Sequence, residues 1–376
     1  MDIKDFKSGT YQKGYRYQYF VPEKINHSFS WDNETINTLL EQASFKLGEL
    51  NSFSRFVPDI DMFIVMHVFK EAVGSNRIEG TRTNIEEALN NENDIDPEKR
   101  NDWKEVNNYV EAMNSAIESL KELPLSSRLL KETHKKLLSS GRGEHKNPGE
   151  FRTSQNWIGG ASISDAVFIP PSQAELPELI TDLELFLNNR ELCIPDLIRI
   201  AIAHYQFETI HPFLDGNGRV GRLLITLYLV SAGILDKPLL YLSEFFEENK
   251  GLYYDNLTFV RTKNDLEQWI LFFLTGIIKT AENSVGTLGR IMDLKQKIEK
   301  EKIVLMGKRA KQGLNFFHKI FRNPVVSVKT VQSLTGLSKK AANDLVKVFV
   351  ENNILVETTG YQRNRVFVFK EYIDLF

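Results

Sequence analysis

The chain has 376 residues, 42% of them apolar and 26% charged, with a net charge of −3. That balance excludes a globally disordered chain and leaves room for two or three domains with a sizeable core. The single cysteine, Cys193, excludes an intramolecular disulfide and a Cys-rich metal site, and it fits a reducing compartment.

The charge is unevenly spread. From Leu305 onward there are 12 Lys/Arg and 5 Asp/Glu, a balance of +7, and the preceding residues carry −10. An acidic body with a basic C-terminal module is the expectation. The opening MDIKDFKSGT is charged and lacks the apolar stretch of a secretory signal. The longest apolar run, Leu223–Ile234, is too short to span a bilayer and reads as a buried helix. A cytoplasmic protein without membrane contact is expected.

Helical patterns dominate in chain order. Ile36–Leu47 places Ile36, Leu39, Leu40, Ala43, Phe45 and Leu47 at helical spacing. Asp61–Val73 repeats the pattern, and Ser75–Glu79 ends at Gly80, a helix stop. Asn90–Asp102 is charged, contains Pro97 and reads as a loop. Helices follow at Trp103–Leu120 and Ser126–Ser139, and Gly141–Gly149 breaks the pattern. Residues Arg152–Pro171 hold short apolar runs around Gly159-Gly160 and close on Pro170-Pro171, which predicts a β-hairpin.

Leu176–Asn188 and Asp196–Glu208 are helical, and Asn217 opens a helix running to Gly233. Glu248–Val260 and Leu266–Ala281 are helical by pattern. Val285–Lys302 is a charged amphipathic helix placed between domains. Val328–Leu334, the turn Thr335-Gly336-Leu337 and Lys339–Asn352 capped by Ser338 follow. Thr358–Phe369 alternates around Gly360. That is the order of a winged helix-turn-helix. Lys339, Lys340, Asn343 and Lys347 on its second helix, with Arg363 and Arg365 on the wing, could meet DNA phosphates. Lys-rich helices are more often solvated faces, and winged helices also dock proteins.

Residues 211–222, HPFLDGNGRVGR, concentrate chemistry. A loop entering a helix N-terminus offers unpaired N–H groups and a positive dipole end. Gly216-Asn217-Gly218 lets phosphate oxygens approach that backbone. Arg219 and Arg222, three apart, share a helix face and can clamp phosphate charge. Asp215 suits Mg²⁺, which takes few protein carboxylates and leans on substrate phosphates. His211 suits a general base on an attacking hydroxyl. His67, His134 and His204 read as packed structural residues, and no His/Asp/Glu set shows zinc spacing.

HPFLDGNGRVGR resembles the signature of the Fic (Fic/Doc) family. The resemblance runs from about Phe6 to Ala281, with a C-terminal winged helix as in many bacterial members. The hairpin with Trp157, Ile158, Gly159, Gly160, Ile169, Pro170 and Pro171 resembles the family's flap, which aligns the target by strand pairing. Tyr253 and Tyr254 resemble the tyrosine pair beside the nucleotide, and Asn249 lies near where the family contacts the base. The resemblance implies AMP transfer from ATP, with Mg²⁺, to a Ser, Thr or Tyr hydroxyl of a protein target or of the chain itself. His211 would be the base and Asp215 the metal ligand. Gly216, Asn217 and Gly218 would stabilise the α-phosphate, with Val220 and Gly221 in the same phosphate-binding stretch. Arg219 would hold the pyrophosphate and Arg222 the γ-phosphate, while Phe213 would anchor the loop. Ser75-Asn76-Arg77-Ile78-Glu79-Gly80 resembles the family's inhibitory motif, so Glu79 would pair with Arg222 and hold activity off.

The implied fold is mostly α: a helical Fic core with a β-hairpin flap, plus the winged module. Residues 1–95 form an N-terminal helical region with the inhibitory motif 75–80, and 96–282 form the core with flap 152–171 and motif 211–222. Residues 283–312 are a helical linker and 313–376 the winged helix-turn-helix. Removal of AMP by the same site, or a DNA-binding regulator with a nucleotide-sensing core, stay open at this point. A homodimer and the nucleotide's identity stay open as well.

Overall fold

The computed structural model describes residues 1–360 and 364–376, the Asn93 side chain excepted. Arg363, named above for the wing, lies outside the described residues. The architecture is mostly helical with two small sheets. Strands β1 (Gly9–Lys13) and β2 (Gln18–Pro22) pair antiparallel, Gly9 opposite Pro22. Helices α1 (Glu34–Phe56), α2 (Ile60–Ile78), α3 (Ile85–Leu89), α4 (Arg100–Ser119) and α5 (Ser127–Leu137) follow. Then come α6 (Leu176–Asn188), α7 (Asp196–Ile210), α8 (Asn217–Ser231), α9 (Ser243–Glu248), α10 (Lys250–Lys263) and α11 (Leu266–Ile298).

The centre is the pair α7 and α8. Every α7 residue from Leu197 to Ile210 is buried, as is most of α8. A helix apolar on all sides needs neighbours on all sides. Helices α2, α4, α5, α6 and α11 supply them, and Trp269 on α11 donates its indole N–H to the Ala201 carbonyl at 2.8 Å. The loop carrying residues 211–216 is thereby held between two buried helices.

Four elements differ from the sequence expectation. The β1–β2 hairpin lies in a segment expected to be helical. Its alternation of Tyr11, Tyr15, Tyr17 and Tyr19 with Gln and Lys is weak because β1 is largely exposed on both faces. The helix expected over Glu248–Val260 is α10, which starts two residues later because Asn249, at φ −111° and ψ 33°, separates it from α9. Leu266–Ala281 and Val285–Lys302 are one helix. Ile277, Ala281, Ser284, Leu288 and Ile291 keep one buried face across the expected boundary, and Ser284 donates its hydroxyl to Leu239 O at 3.2 Å. The segment 152–171 closes on one bridge, Ile158 opposite Phe168, in place of long strands.

Beyond α11 the chain runs through α12 (Ala310–Ile320), β3 (Val325–Ser327), α13 (Val328–Thr335) and α14 (Lys339–Glu351). It ends in β4 (Val356–Glu357), β5 (Val366–Val368) and α15 (Lys370–Ile373). The sheet order is β3-β5-β4, with Val325 and Val356 both opposite Val368. Ser338 caps α14 by accepting from the Ala341 N–H. This end of the chain packs on α2: Phe321 meets Phe63 edge-on at 5.3 Å, and Phe376 meets His67 at 5.0 Å.

Three fully buried histidines make the fold acid-labile. Burial pushes His67 and His204 down to about 3 and His134 to about 4. An unfolded histidine titrates near 6.5, so below that pH the unfolded chain takes up protons that the native chain refuses. Their contribution to stability is therefore full above about pH 7 and is lost as pH drops from 6.5 towards 4. The expected loss is on the order of 2 kcal/mol per histidine between pH 7 and 5. Urea unfolding at the two pH values measures it, and an unchanged midpoint would contradict it.

Candidate active site

His211 ends α7 in the left-handed conformation, φ 51° and ψ 60°. Its Nδ1 lies 3.3 Å from the Glu208 carbonyl. A carbonyl only accepts, so Nδ1 carries the proton and the Nε2 lone pair is left for a substrate proton. Burial pushes the imidazole down to about 4, opposed by this hydrogen bond and reinforced by the Arg152 charge. At neutral pH the ring is a neutral base with its Nε2 lone pair free.

The loop behind it is held from several sides. Asn217 accepts from the Phe213 N–H and donates to the Phe213 carbonyl, both at 2.8 Å. Its side-chain amide is thus committed to the loop, and its part toward a ligand falls to its backbone. Phe213 is fully buried and stacks on His134 at 3.8 Å. His134 Nδ1 accepts from the Gly149 N–H at 2.8 Å, so its Nε2 carries the proton and donates to Asp215 O at 3.0 Å. Arg152, buried, donates to the carbonyls of His211, Ser154, Ile210 and Pro171. Its own N–H bonds Pro212 O at 2.9 Å. Asn156 adds bonds to His211 O and Phe213 O. Flap and loop are one hydrogen-bonded unit.

His134 is the packed, hydrogen-bonded structural residue that the sequence suggests, whereas no sequence pattern singles out Arg152 or Asn156 as supports. A charged residue at the mouth of an apolar hairpin was the one local sign of Arg152.

Gly216, at φ 77°, turns the chain into α8. Arg219 on α8 faces Asn76 and Glu105, Nη1 at 3.4 Å from each, and Asp215 at 3.7 Å. Arg222 is buried. Its Nε donates to Ser75 Oγ at 2.8 Å, and Nη2 donates to Ser75 O at 3.0 Å and Glu79 Oε1 at 2.6 Å. Burial is the largest single influence and opposes ionisation of Glu79, but the charge and hydrogen bond of Arg222, with the Arg219 charge, together hold the carboxyl below its ordinary value. Glu79 Oε1 stands 2.5 Å from where a Cβ on Gly218 would be. The carboxylate occupies the space over the N-terminus of α8, where an anion would bind. Lys250 donates to Ile78 O at 2.5 Å and fixes the end of α2 that bears Glu79.

The expected nucleotide side divides. Tyr253 is buried, stacks on Phe246 at 4.4 Å and gives its hydroxyl to His204 Nε2 at 2.9 Å. Tyr254 is exposed and is the ring of the pair open to a ligand. Asn249 spends its amide N–H on Phe245 O. Val220 is buried within α8. Gly221 packs on Glu208, whose Oε1 would meet a Cβ there at 2.2 Å. Asp215 keeps a partly exposed carboxylate whose Oδ1 accepts from Gly216 N–H at 2.7 Å. Among the described residues no three metal-ligating side chains cluster. One open carboxylate nonetheless suits Mg²⁺, which completes its shell with water and phosphate oxygens.

In the flap, Gly159 and Gly160 take φ 69° and 75°. Asp165 holds the tip through Ser162 Oγ and the N–H groups of Ala161 and Ser162, which depress its carboxyl to about 2. The Ile169 carbonyl is taken by the Phe20 N–H of β2 at 2.9 Å.

Two family models match the chain. Residues 37–118 match the model described as Fic/DOC family N-terminal, and residues 124–229 match that described as Fic/DOC family. The chain carries Fic N-terminal and Fic domains. It is 32% identical over 142 residues to "Protein adenylyltransferase Fic" of Aedes aegypti, a stretch that is 38% of this chain and 25% of that protein. It is 33% identical over 122 residues to "Protein adenylyltransferase fic-1" of Caenorhabditis elegans, 32% of this chain and 22% of that one. The matched stretch thus spans about a quarter of those relatives' length. A Fic family protein from Desulfovibrio desulfuricans G20 shares the fold over 92% of this chain and 98% of its own, with a TM-score of 0.57 and 19% identity. A Fic domain containing signaling protein from Bacteroides thetaiotaomicron VPI-5482 does so over 67% and 97%, with a TM-score of 0.53 and 20% identity. The two Fic matches take in both sides of the Glu79–Arg222 pair: α2 lies in the first and residues 211–222 in the second.

Proposed function

We propose that the chain is an autoinhibited protein adenylyltransferase that moves AMP from ATP to a Ser, Thr or Tyr hydroxyl of a protein. The observation that carries this is Glu79 on Arg222, 2.6 Å away, over the α8 N-terminus and beside a neutral His211. His211 Nε2 would take the hydroxyl proton as the oxygen attacks the α-phosphorus and pyrophosphate leaves. The N–H groups at the start of α8 would receive the charge developing on the α-phosphate oxygens. Arg219 and Arg222 would hold the β- and γ-phosphates. Asp215 would hold Mg²⁺ together with those phosphates, and the ion would supply charge neutralisation. While Glu79 occupies Arg222, the γ-phosphate lacks its partner, and the resting chain is slow.

The C-terminal segment we read as a winged helix-turn-helix. Exposed Lys339, Lys340 and Lys347 support phosphate contact there, although Lys347 already pairs with Glu351 at 3.7 Å.

Incubating the chain with ATP labelled on the α-phosphate, and separately on the γ-phosphate, tests the reaction class. Protein-bound label is expected from the first alone, with an AMP mass on a hydroxyl residue. Label from the γ-phosphate would make the chain a kinase and overturn the reading.

A further inference from the structure

The N-terminal hairpin has no part in the chemistry above, yet it is joined to the flap. Phe20 N–H bonds Ile169 O, and the Phe20 ring sits 6.0 Å from Phe168. The hairpin's root is tied to α10: Ser8 Oγ donates to Arg261 O at 3.2 Å and to Asn264 Oδ1 at 2.9 Å. Arg261 in turn lies over Phe168, its guanidinium carbon 4.1 Å from the ring centroid. Hairpin, flap and Arg261 therefore form one connected face beside His211.

That face has a definite character. Residues 6–22 hold Lys7, Lys13 and Arg16 and no acid, against a body of net charge −10 up to residue 304. Lys7, Lys13 and Arg16 are exposed and make no ion pair among the described residues. Arg261 likewise makes none among them, and its charge reaches His211. Of the acids nearby, Asp165 is hydrogen-bonded within the flap tip and Glu175 to Ser172 and Tyr19, while Glu23, just past β2, is exposed. Hairpin and flap both carry exposed large side chains, Tyr15 78% exposed and Val167 79%, with Tyr11 and Trp157 exposed as well. Exposed aromatics rimmed by free cations mark a contact surface.

The backbone shows how a chain would lie on it. Ile158 exchanges its hydrogen bonds with Phe168 and Val167, and β2 covers the far side at Ile169. Backbone groups alternate sides along a strand, so those of Trp157, just before the bridge, face outward and offer an edge for an added strand.

We propose that the β1–β2 hairpin, the flap and Arg261 together dock an extended acidic segment of the target protein, with Asp or Glu flanking the hydroxyl to be modified. This rests on the transferase reading and adds the substrate class to it. The added strand would pair at the Trp157 edge, its apolar side chains against Tyr11, Tyr15 and Val167. Its acids would meet Arg261 near the reacting hydroxyl and Lys13 and Arg16 farther out.

The test is a binding measurement on the full chain without nucleotide. The probes are short fluorescein-labelled peptides with one Tyr flanked by Glu, or by Lys. The Glu peptide should bind about tenfold more tightly at low salt, with the gap closing at high salt. The double variant Lys13→Glu/Arg16→Glu, exposed positions that leave folding intact, should abolish or invert the preference. Equal binding of both peptides overturns the proposal, as does a preference that survives the charge reversal. Self-association of the chain that the double variant removes would assign the face to a second copy and also overturns it. Label transfer from ATP, measured separately on the same samples, reports on the transferase reading. Preserved peptide preference without transfer sinks that reading and not the docking surface.

Discussion

Replacing His211 by alanine is expected to lower protein-bound AMP by about 10²–10⁴-fold, the usual contribution of a positioned base. Folding should be nearly unaffected, by less than about 1 kcal/mol, because the side chain is partly exposed and makes a single long hydrogen bond to Glu208 O. The loop does not depend on the ring. Its fixtures are the His211 carbonyl, held by Arg152 and Asn156, and the Phe213 backbone, held by Asn217. The two measurements are label transfer in a Glu79→Gly background and urea unfolding. Transfer that persists at more than about a tenth of the parent rate would remove His211 from the base role.

Glu79→Gly is expected to raise transfer by about 10- to 100-fold, the range of a coupling of 1–3 kcal/mol. The substitution frees Arg222 and the space over Gly218 together. It also leaves Arg222 buried with Ser75 as its remaining partner. Glu79 is 37% exposed at its side chain, so solvent screens the pair and the loss of stability is held to about 1–2 kcal/mol. ATP should restore that loss by supplying the missing anion, seen as a larger thermal shift with ATP for the variant than for the parent. Arg222→Ala separates the two effects: it should destabilise by about 3 kcal/mol and give no activation, since the γ-phosphate loses its partner. Activation by Arg222→Ala would contradict the assignment.

Much of the helical frame was legible. Leu176–Asn188 is a helix over the predicted span, and the helices at Asp196, Asn217 and Lys339 start where caps and periodicity place them. These are signals within a turn or two of chain. Where the pattern had to be judged over a longer reach it failed. The polar Glu282-Asn283-Ser284 looked like an end, yet Ser284 lies on the buried stripe of α11 and finds a partner in Leu239 O. The β1–β2 hairpin was missed because its partner, the flap, is far away in the chain, and without it the alternation has little apolar content.

The site divides in the same way. Residues 211–222 declare their chemistry unaided, because a glycine-rich turn into a helix presents free N–H groups whatever surrounds it, and two arginines three apart share a face in any helix. Ser75 and Glu79 likewise stand one turn apart on any helix. Sequence therefore determined which groups are available and how neighbouring ones align. Only the tertiary structure decided that Glu79 lies over Gly218, that Tyr253 is buried while Tyr254 is not, and that Arg152 and His134 hold the loop. The reason is that a buried polar group must find a partner wherever packing brings one. Which partner arrives depends on how the helices stack, and no local pattern in the chain encodes that.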